Sequence, residues 1–385
     1  MILKNLKERK INKKKLIILI AIIVSLMLIA IFSFLYFRVE PIRIFFDKYL
    51  FKKNVTEGTL PSIATETSNV YVFNNNVVEQ YENTLTFFNK NGEKEDSLDI
   101  KIVNPIVCTN GNYFVMAEKN GQKLYLISGK NIVWEKDVEG NVSDVYVNKN
   151  GYVSVAITGT TYKTIVRMFA QDGSELFKRF LSNTSVMDLA ISSDNKYLAL
   201  AEVDSSGAVI KSNVEVIDIN NAVTQGADAI AYKETAPSNN LIVNIDYTKG
   251  NILSCIYDNH ISALKNNASN EITNFSNSNI VFADLNDRII QVEKKNDSMF
   301  NSTFELQMIN PENSERNCYT LDKEPKSIKT FGNIIAINFG TEALFINNNS
   351  WLIKQYTSYQ EIQDISISNN LAIIIFKNKT EIISL

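Results

Sequence analysis

One pattern recurs eight times along this chain and constrains its fold more than any other feature. It is a short strand of alternating apolar residues, a two-residue polar turn, and a second apolar strand. The turns and the strands after them read Asn75-Asn76 then VVEQYE, Asn110-Gly111 then NYFVMAE, Asn150-Gly151 then YVSVAI, and Asp194-Asn195 then KYLALAE. They continue with Lys249-Gly250 then NILSCIY, Asn286-Asp287 then RIIQVE, Gly332-Asn333 then IIAINF, and Asn369-Asn370 then LAIIIF. Gly, Asn and Asp suit such turns because tight hairpins need positive φ. Successive turns lie 35, 40, 44, 55, 37, 46 and 37 residues apart, a mean of 42. A period of roughly 40–50 residues with four strands in each unit is the mark of a propeller blade.

The remaining strands of each unit are also legible. An inner strand precedes each turn, most clearly in VSDVYVN, VMDLAIS, LIVNIDYT and IQDISIS. A third strand follows, as in TLTFFN, KLYLIS, TIVRMFA, NVEVIDI, FELQMIN and EALFIN, and then a polar turn and a fourth, as in GKNIVWEKDV, DGSELFKRFL and NSWLIKQYT. Eight turns predict an all-β domain of seven or eight blades; eight recurrences argue against a β-sandwich with coincidental spacing. EIISL reads as the third strand of the last unit, and TLPSIATE (residues 59–66) is predicted to supply its outer strand and close the ring. Closure would leave no sheet edge exposed.

Ahead of the repeat lies LIILIAIIVSLMLIAIFSFLYF, residues 16–37, without a charge. As a helix it spans about 33 Å, enough to cross a hydrocarbon core of about 30 Å. A cleaved signal peptide would have a shorter apolar core and a small-residue cleavage site. The run here is longer, ends in Phe34, Tyr36 and Phe37, and no Cys follows to take a lipid, so an uncleaved anchor is expected. Seven basic residues precede it (Lys4, Lys7, Arg9, Lys10, Lys13, Lys14, Lys15) and five follow (Arg38, Arg43, Lys48, Lys52, Lys53). That bias predicts a cytoplasmic N-terminus and an extracytoplasmic domain in a single-pass protein of the cell membrane. Residues 41–53 place Ile42, Phe45, Phe46, Tyr49 and Leu50 at helical spacing, with Arg43, Asp47, Lys48 and Lys52 elsewhere on the wheel. This fits either a short amphipathic helix in the headgroup layer or a stalk packed on the domain. The organisation read from the sequence is therefore a basic tail (1–15), a membrane span (16–37), a juxtamembrane segment (38–58) and a propeller (59–385).

Charge and composition narrow the chemistry. Residues 1–53 carry 12 Lys/Arg against 3 Asp/Glu, and the remainder 27 against 39, so the domain is acidic, at −12. It offers no electrostatic footprint for nucleic acid. Cys108, Cys255 and Cys318 form no CxxC pair and read as buried small hydrophobes. His260 is the one histidine in the sequence, which excludes multi-histidine metal sites and leaves little room for a Ser/His/Asp or Cys/His apparatus. No catalytic set, cofactor or metal is predicted. Asn is abundant, 48 of 385 residues; it reads as genome composition, and the Asn54, Asn141 and Asn183 triplets as chance rather than glycosylation sites.

Asp144, Asp188 and Asp364 occupy equivalent places on three inner strands, five to six residues before their turns. At such positions they would ring a mouth of the central channel and bind a cation or a basic partner, or else cap local backbone N–H groups. Asp258 and His260 lie close enough in sequence for an acid/base pair or a plain surface loop. Residues 220–240 form a long insertion, the strongest candidate for a partner-binding loop.

SSDNKYLALA (residues 192–201) resembles the signature of TolB-like and WD-repeat-like propellers, and GKNIVWEKDV (residues 129–138) the outer-strand element of quinoprotein-type repeats. Quinoprotein docking would need repeated tryptophans, and the sequence has Trp134 and Trp351 alone. Residues 142–220 most resemble an uncharacterised, clostridial-type bacterial family of membrane-anchored propellers. That resemblance implies a fold and a location but no activity. The resulting expectation is a non-enzymatic scaffold, tethered through residues 16–37 to the lipid bilayer, that binds an envelope protein or polymer. The alternative is a propeller enzyme, a glycan hydrolase or lyase, or a ligand sensor, using carboxylates at the channel mouth.

Overall fold

The structure, a computed structural model, describes residues 13–50, 53–65, 69–226, 229–236, 240–265, 267–277, 279–295 and 302–385. The basic positions Lys4, Lys7, Arg9, Lys10 and Lys52 lie outside these residues. The chain divides into two compact units, 1–54 and 55–385.

In the first unit a helix runs over Lys13–Arg38. Its segment Leu16–Arg38 has a mean hydropathy of 3.2, and the apolar side chains described along it are almost all exposed. Such a helix is long and apolar enough to cross a bilayer; a signal sequence near the N-terminus passes the same test. A second short helix, Glu40–Phe45, continues into a π-turn, Phe46–Leu50. Pro in its first turn suits that start, where the missing N–H costs nothing. Phe45 and Leu50 are exposed, whereas Arg43 and Asp47 are buried. Asp47 is held by the Tyr36 hydroxyl at 2.6 Å and by Lys53 at 2.9 Å, and Phe46 meets Phe32 edge to face at 4.8 Å.

The second unit is an eight-bladed β-propeller. Each blade is an antiparallel sheet whose strands follow chain order from the innermost outward, over residues 69–99, 105–137, 141–181, 184–235, 242–274, 280–321, 327–357 and 364–384. The predicted turns join first to second strands, with positive φ at Asn74, Gly111, Gly151, Asn195, Gly250 and Gly332. Apolar residues of the second strands are buried on both faces, as in Ala199, Leu200 and Ala201. The core lies between blades. Val115, Leu126, Val145 and Val155 pack across blades 2 and 3, and Ala336, Phe345, Ile365 and Ile374 pack across blades 7 and 8. Trp134, on the outer strand of blade 2, donates its Nε1–H to the Gln171 carbonyl of blade 3 at 3.1 Å and packs on Phe169. Gly173 turns with φ +84 beneath that indole, where a Cβ would stand 2.9 Å from the ring.

The ring is closed from the N-terminal side, as the sequence predicts. Ser62–Ala64 pairs antiparallel with Lys379–Ser384 as the outer strand of blade 8, with Ser62 opposite Glu381 and Ala64 opposite Lys379. The Ile382 amide also donates to the Pro61 carbonyl at 2.9 Å. The structure adds an element that the sequence pattern did not reveal. Asn54–Thr56 forms a fifth strand on blade 7, beside Leu352–Thr357.

Side chains lock the two additions together. Glu57 accepts from Lys379 Nζ at 2.8 Å, Ser358 Oγ at 2.8 Å, Gln360 Nε2 at 2.6 Å and the Tyr359 amide at 3.0 Å. Buried Glu381 accepts from the Gly58 amide at 3.0 Å and the Tyr356 hydroxyl at 2.9 Å, and pairs with the same Lys379 at 2.8 Å. Burial pushes the Glu57 carboxyl up, but its hydrogen bonds outweigh that and hold it down at about 2. Its contribution to stability is therefore present above the ordinary carboxylate range and lost as pH falls toward 2.

Thermal melts of truncated chains test this closure. Removing residues 55–66 should lower the melting temperature sharply and broaden the transition, whereas removing residues 39–53 should hardly change the propeller transition. Glu57→Gln should cost about 1–3 kcal/mol at neutral pH, the range for charged hydrogen bonds. Equal melts for both truncations would contradict closure by the N-terminal strand.

Candidate functional site

The turns between first and second strands of all eight blades converge on one end of the channel. A cavity of about 520 Å³ opens there, lined among others by Tyr146, Asp246, Tyr247, Asn286, Lys149 and Lys249. A second, about 420 Å³, lies on the same face among the turns of blades 8, 1 and 2. Asparagines tie this face from blade to blade. Asn148 and Asn150 each donate to Asn195 Oδ1, at 2.6 and 2.9 Å, and the Ser193 amide and hydroxyl donate to Asn251 Oδ1 at 3.0 and 2.6 Å. Across the closing interface Ser368 Oγ donates to the Asn74 carbonyl at 2.8 Å. These bonds cross from one turn to the next, so the mouth is a fixed polar rim.

The inner strands bring carboxylates into the channel. In blades 3 to 6 each inner strand carries a β-bulge near its start, at Val142/Asp144, Val186/Asp188, Ile242/Asn244 and Ile280/Phe282. A bulge re-aims the residues around it. Asp144 and Asp188 follow the bulge directly, opposite Ala156 and Ala201. Blades 5 and 6 place Asn244 and Phe282 there, and set Asp246 and Asp284 two residues further along the same face. Sequence reasoning missed these two; the signal was the two-residue period continued past the bulge.

Each carboxylate accepts from the backbone N–H of the next residue, as Asp188 does from Leu189 at 2.9 Å, Asp246 from Tyr247 at 2.8 Å and Asp284 from Leu285 at 2.9 Å. Each of these three also accepts from another blade. Asp188 Oδ2 takes the Ile245 amide at 2.7 Å, Asp246 the Tyr146 hydroxyl at 2.8 Å, and Asp284 the Thr330 hydroxyl at 2.8 Å. Burial raises their pKa values, and the neighbouring charges add to it. Asp144 is pushed up to about 7 by burial and then by the Asp188 charge. Asp188 rises to about 6 by burial, against the pull of the Ile245 and Leu189 amides. Asp246 rises to about 7 by burial, against the Tyr146 and Tyr247 donors. Burial raises Asp284 as well, opposed by Thr330 and Leu285.

Asp364 stands apart. It lies at the start of its inner strand, accepts from the Ile365 amide at 2.9 Å and faces Lys329 at 3.6 Å, with both side chains about half exposed. Asp258 and His260 do not pair with each other in this geometry. Asp258 accepts from the Leu241 amide at 3.0 Å, and His260 contacts Asn259 at 2.6 Å and stacks on Tyr257 with ring centroids 4.4 Å apart. Burial lowers the His260 pKa. Residues 220–240 are less of a free loop than the sequence suggested: Asp218 caps a helix over Ile219–Gln225, and Ile230–Thr235 is the outer strand of blade 4. Residues 227–228 and 237–239 of that stretch lie outside the described residues. Among the described residues no three His, Cys, Asp or Glu side chains gather closely enough to hold a metal ion. The Cys108 thiol, on the cavity wall, is pushed up to about 12 by burial, which disfavours its nucleophilic thiolate.

The raised carboxyls make a pH prediction with a definite sign. An acid whose folded pKa exceeds its unfolded value, near 4, stabilises the fold fully below about pH 4 and loses that contribution as pH rises through about 7. Asp144→Asn and Asp246→Asn should each stabilise the fold more at pH 8 than at pH 4, by up to about 4 kcal/mol at roughly 1.4 kcal/mol per unit of raised pKa, with the difference building up between those two pH values. Equal effects at both pH values in thermal melts would contradict the burial of these groups.

No curated protein sequence matches this chain. Among solved structures, BamB from Moraxella catarrhalis superposes with a TM-score of 0.50 at 11% identity, covering 85% of this chain and 99% of that one. Sqt1 from Chaetomium thermophilum, solved bound to the N-terminus of ribosomal protein L10, superposes with a TM-score of 0.53 at 9% identity, covering 85% and 100%. At these identities the likeness shows the fold alone. The sequence model of a family of unknown function, DUF5711, matches residues 47–385, which include the whole propeller, and the chain belongs to that family.

Proposed function

We propose that this protein is a membrane-tethered, extracytoplasmic binding scaffold whose asparagine-lined mouth receives an envelope protein or polymer. The observation that carries the reading is the pairing of a rigid, closed ring with a deep polar opening at the convergence of all eight turns. Ordered turns held blade to blade present a preformed surface, which lowers the entropy lost on binding. The acidic domain and channel favour a partner with basic or hydrogen-bond-donating groups. Sqt1 gives a precedent for a protein of this fold engaging a chain terminus. The tether is the apolar helix, and the lysine bias around it supports an outward-facing domain.

A second reading, carboxylate chemistry on a glycan, draws on Asp144 and Asp188, whose raised pKa values suit a general acid near neutral pH.

Two measurements test the proposal. Protease added to intact protoplasts should digest the propeller while the N-terminal tail stays protected; a fully resistant propeller beside working controls contradicts the orientation. Cross-linking in intact cells should join wild type and a Lys94→Glu outer-strand variant to the same partner, and Asn112→Arg at the mouth should reduce that product at least tenfold. Undiminished cross-linking by Asn112→Arg removes the mouth as the binding surface. Glycan cleavage abolished by Asp188→Asn would favour the second reading.

A further inference from the structure

The larger cavity at the mouth is walled by two polar groups whose hydrogen bonding the protein leaves incomplete, one an acceptor and one a donor. Asp246 is the acceptor. Both of its donors, the Tyr146 hydroxyl at 2.8 Å and the Tyr247 amide at 2.8 Å, converge on Oδ1. Among the described residues its Oδ2 takes no donor, although a carboxylate offers about four acceptor positions. Asn286 is the donor, on the neighbouring blade and 8% exposed. Its Oδ1 accepts the Arg288 amide at 2.8 Å, which fixes the orientation of the side chain and leaves the buried Nδ2 without an acceptor. An unpaired buried donor is a cost that a bound acceptor removes.

The surroundings of these two groups select the guest. The titratable groups that face Asp246 are Asp188, Asp284, Cys108, Tyr146 and Tyr247, and none of them brings positive charge. Lys149 and Lys249 stand at the rim of the cavity, exposed among the turns, where water and salt screen them. Asp188 lies two residues of strand further from the mouth than Asp246, roughly 7 Å. A bare metal ion is a poor match for carboxylates spread in depth, and among the described residues no three gather closely enough to hold one. A polyamine would meet the carboxylates but brings no acceptor for Asn286. A basic peptide carries both kinds of group.

We propose that the mouth receives a basic peptide segment of a partner protein, with a lysine or arginine side chain on Asp246 and a backbone carbonyl on Asn286. This inference rests on the reading of the mouth as the binding surface and names the chemistry of its partner. The ion pair needs an ionised Asp246. Burial raises that carboxyl to about 7, so binding strengthens, with release of a proton, as pH rises through that value.

The test titrates the full chain in detergent micelles, at about 0.15 M salt so that exposed charges are screened. The probes are blocked glycine peptides with one central arginine, lysine or glutamate, and spermidine. At pH 8 a basic peptide should bind at least tenfold tighter than the glutamate peptide, and at least tenfold tighter than it does at pH 5. Asp246→Asn should cost at least tenfold, whereas Asp99→Asn on an outer strand should change nothing; thermal melts check that each variant is folded. Asn286→Asp keeps the acceptor for Arg288 and removes the donor, so it should lower the ratio of peptide to spermidine affinity at least threefold. No binding of either basic peptide, equal binding of the acidic one, indifference to pH, or an unchanged affinity in Asp246→Asn overturns the proposal. An unchanged ratio in Asn286→Asp assigns the site to a polyamine and overturns it as well. Cross-linking in intact cells separates this proposal from the reading it rests on. A product lost in Asn112→Arg but intact in Asp246→Asn leaves the mouth as the binding surface and overturns the basic segment; a product intact in both overturns the two together.

Discussion

Everything in this molecule depends on how the ring is closed. Seven blades are complete in chain order, but the eighth has three strands of its own and would offer bare donors and acceptors along Lys379–Ser384. An open edge of that kind pairs with whatever strand it meets. Ser62–Ala64 fills it from the far end of the sequence, and Asn54–Thr56 covers the outer edge of blade 7 beside it. Lys379 sits between Glu57 and Glu381, 2.8 Å from each, so one cation joins the two additions to the last blade. Pairing residues more than 300 apart removes a large share of the freedom of the unfolded chain, at an entropic cost that grows only slowly with loop length.

Closure also explains why the two faces can carry different chemistry. The apolar core sits between blades, so neither end of the ring needs apolar cover of its own. One end is left to asparagines, which supply positive φ at Asn74 and Asn195 and bond across neighbouring turns. The other end carries bulges and longer links that expose Met187, Ile210 and Val243. Between them the channel holds Asp144, Asp188, Asp246 and Asp284, each bonded to backbone N–H yet short of compensating cations. Structural hydrogen bonding and electrostatic poise thus coexist in the same side chains.

Much of the fold was legible in the sequence because propeller blades are local: strand, turn and strand lie within about 40 residues, and the turns announce themselves by Gly, Asn and Asp. The strand at Ser62–Ala64 was legible by subtraction, from a last unit one strand short. Asn54–Thr56 was not, since three residues of sequence NVT carry no hydrophobic period. Asp144 and Asp188 could be found by their fixed distance from a turn. Asp246 and Asp284 could not, because two layers of side chains project into a channel and a single offset samples one of them. Asp364 lies within one residue of that offset, but its Lys329 neighbour belongs to the preceding blade and emerges only when blades are packed. The asparagines were read as composition; their bonds join positions more than 40 residues apart, as between Asn148 and Asn195, and no local pattern encodes those.

The central claim, that the N-terminal strand is an integral part of the ring, is tested most directly by native-state amide hydrogen exchange in the full chain. The Ile382 and Thr65 amides, which bond to Pro61 and Asn378 across the closing strand, should exchange only by global unfolding, at rates matching Leu200 and Ile373 in central strands. Exchange at Ile382 and Thr65 that is orders of magnitude faster than in those strands would mean that the closing strand frays independently, and would contradict the account.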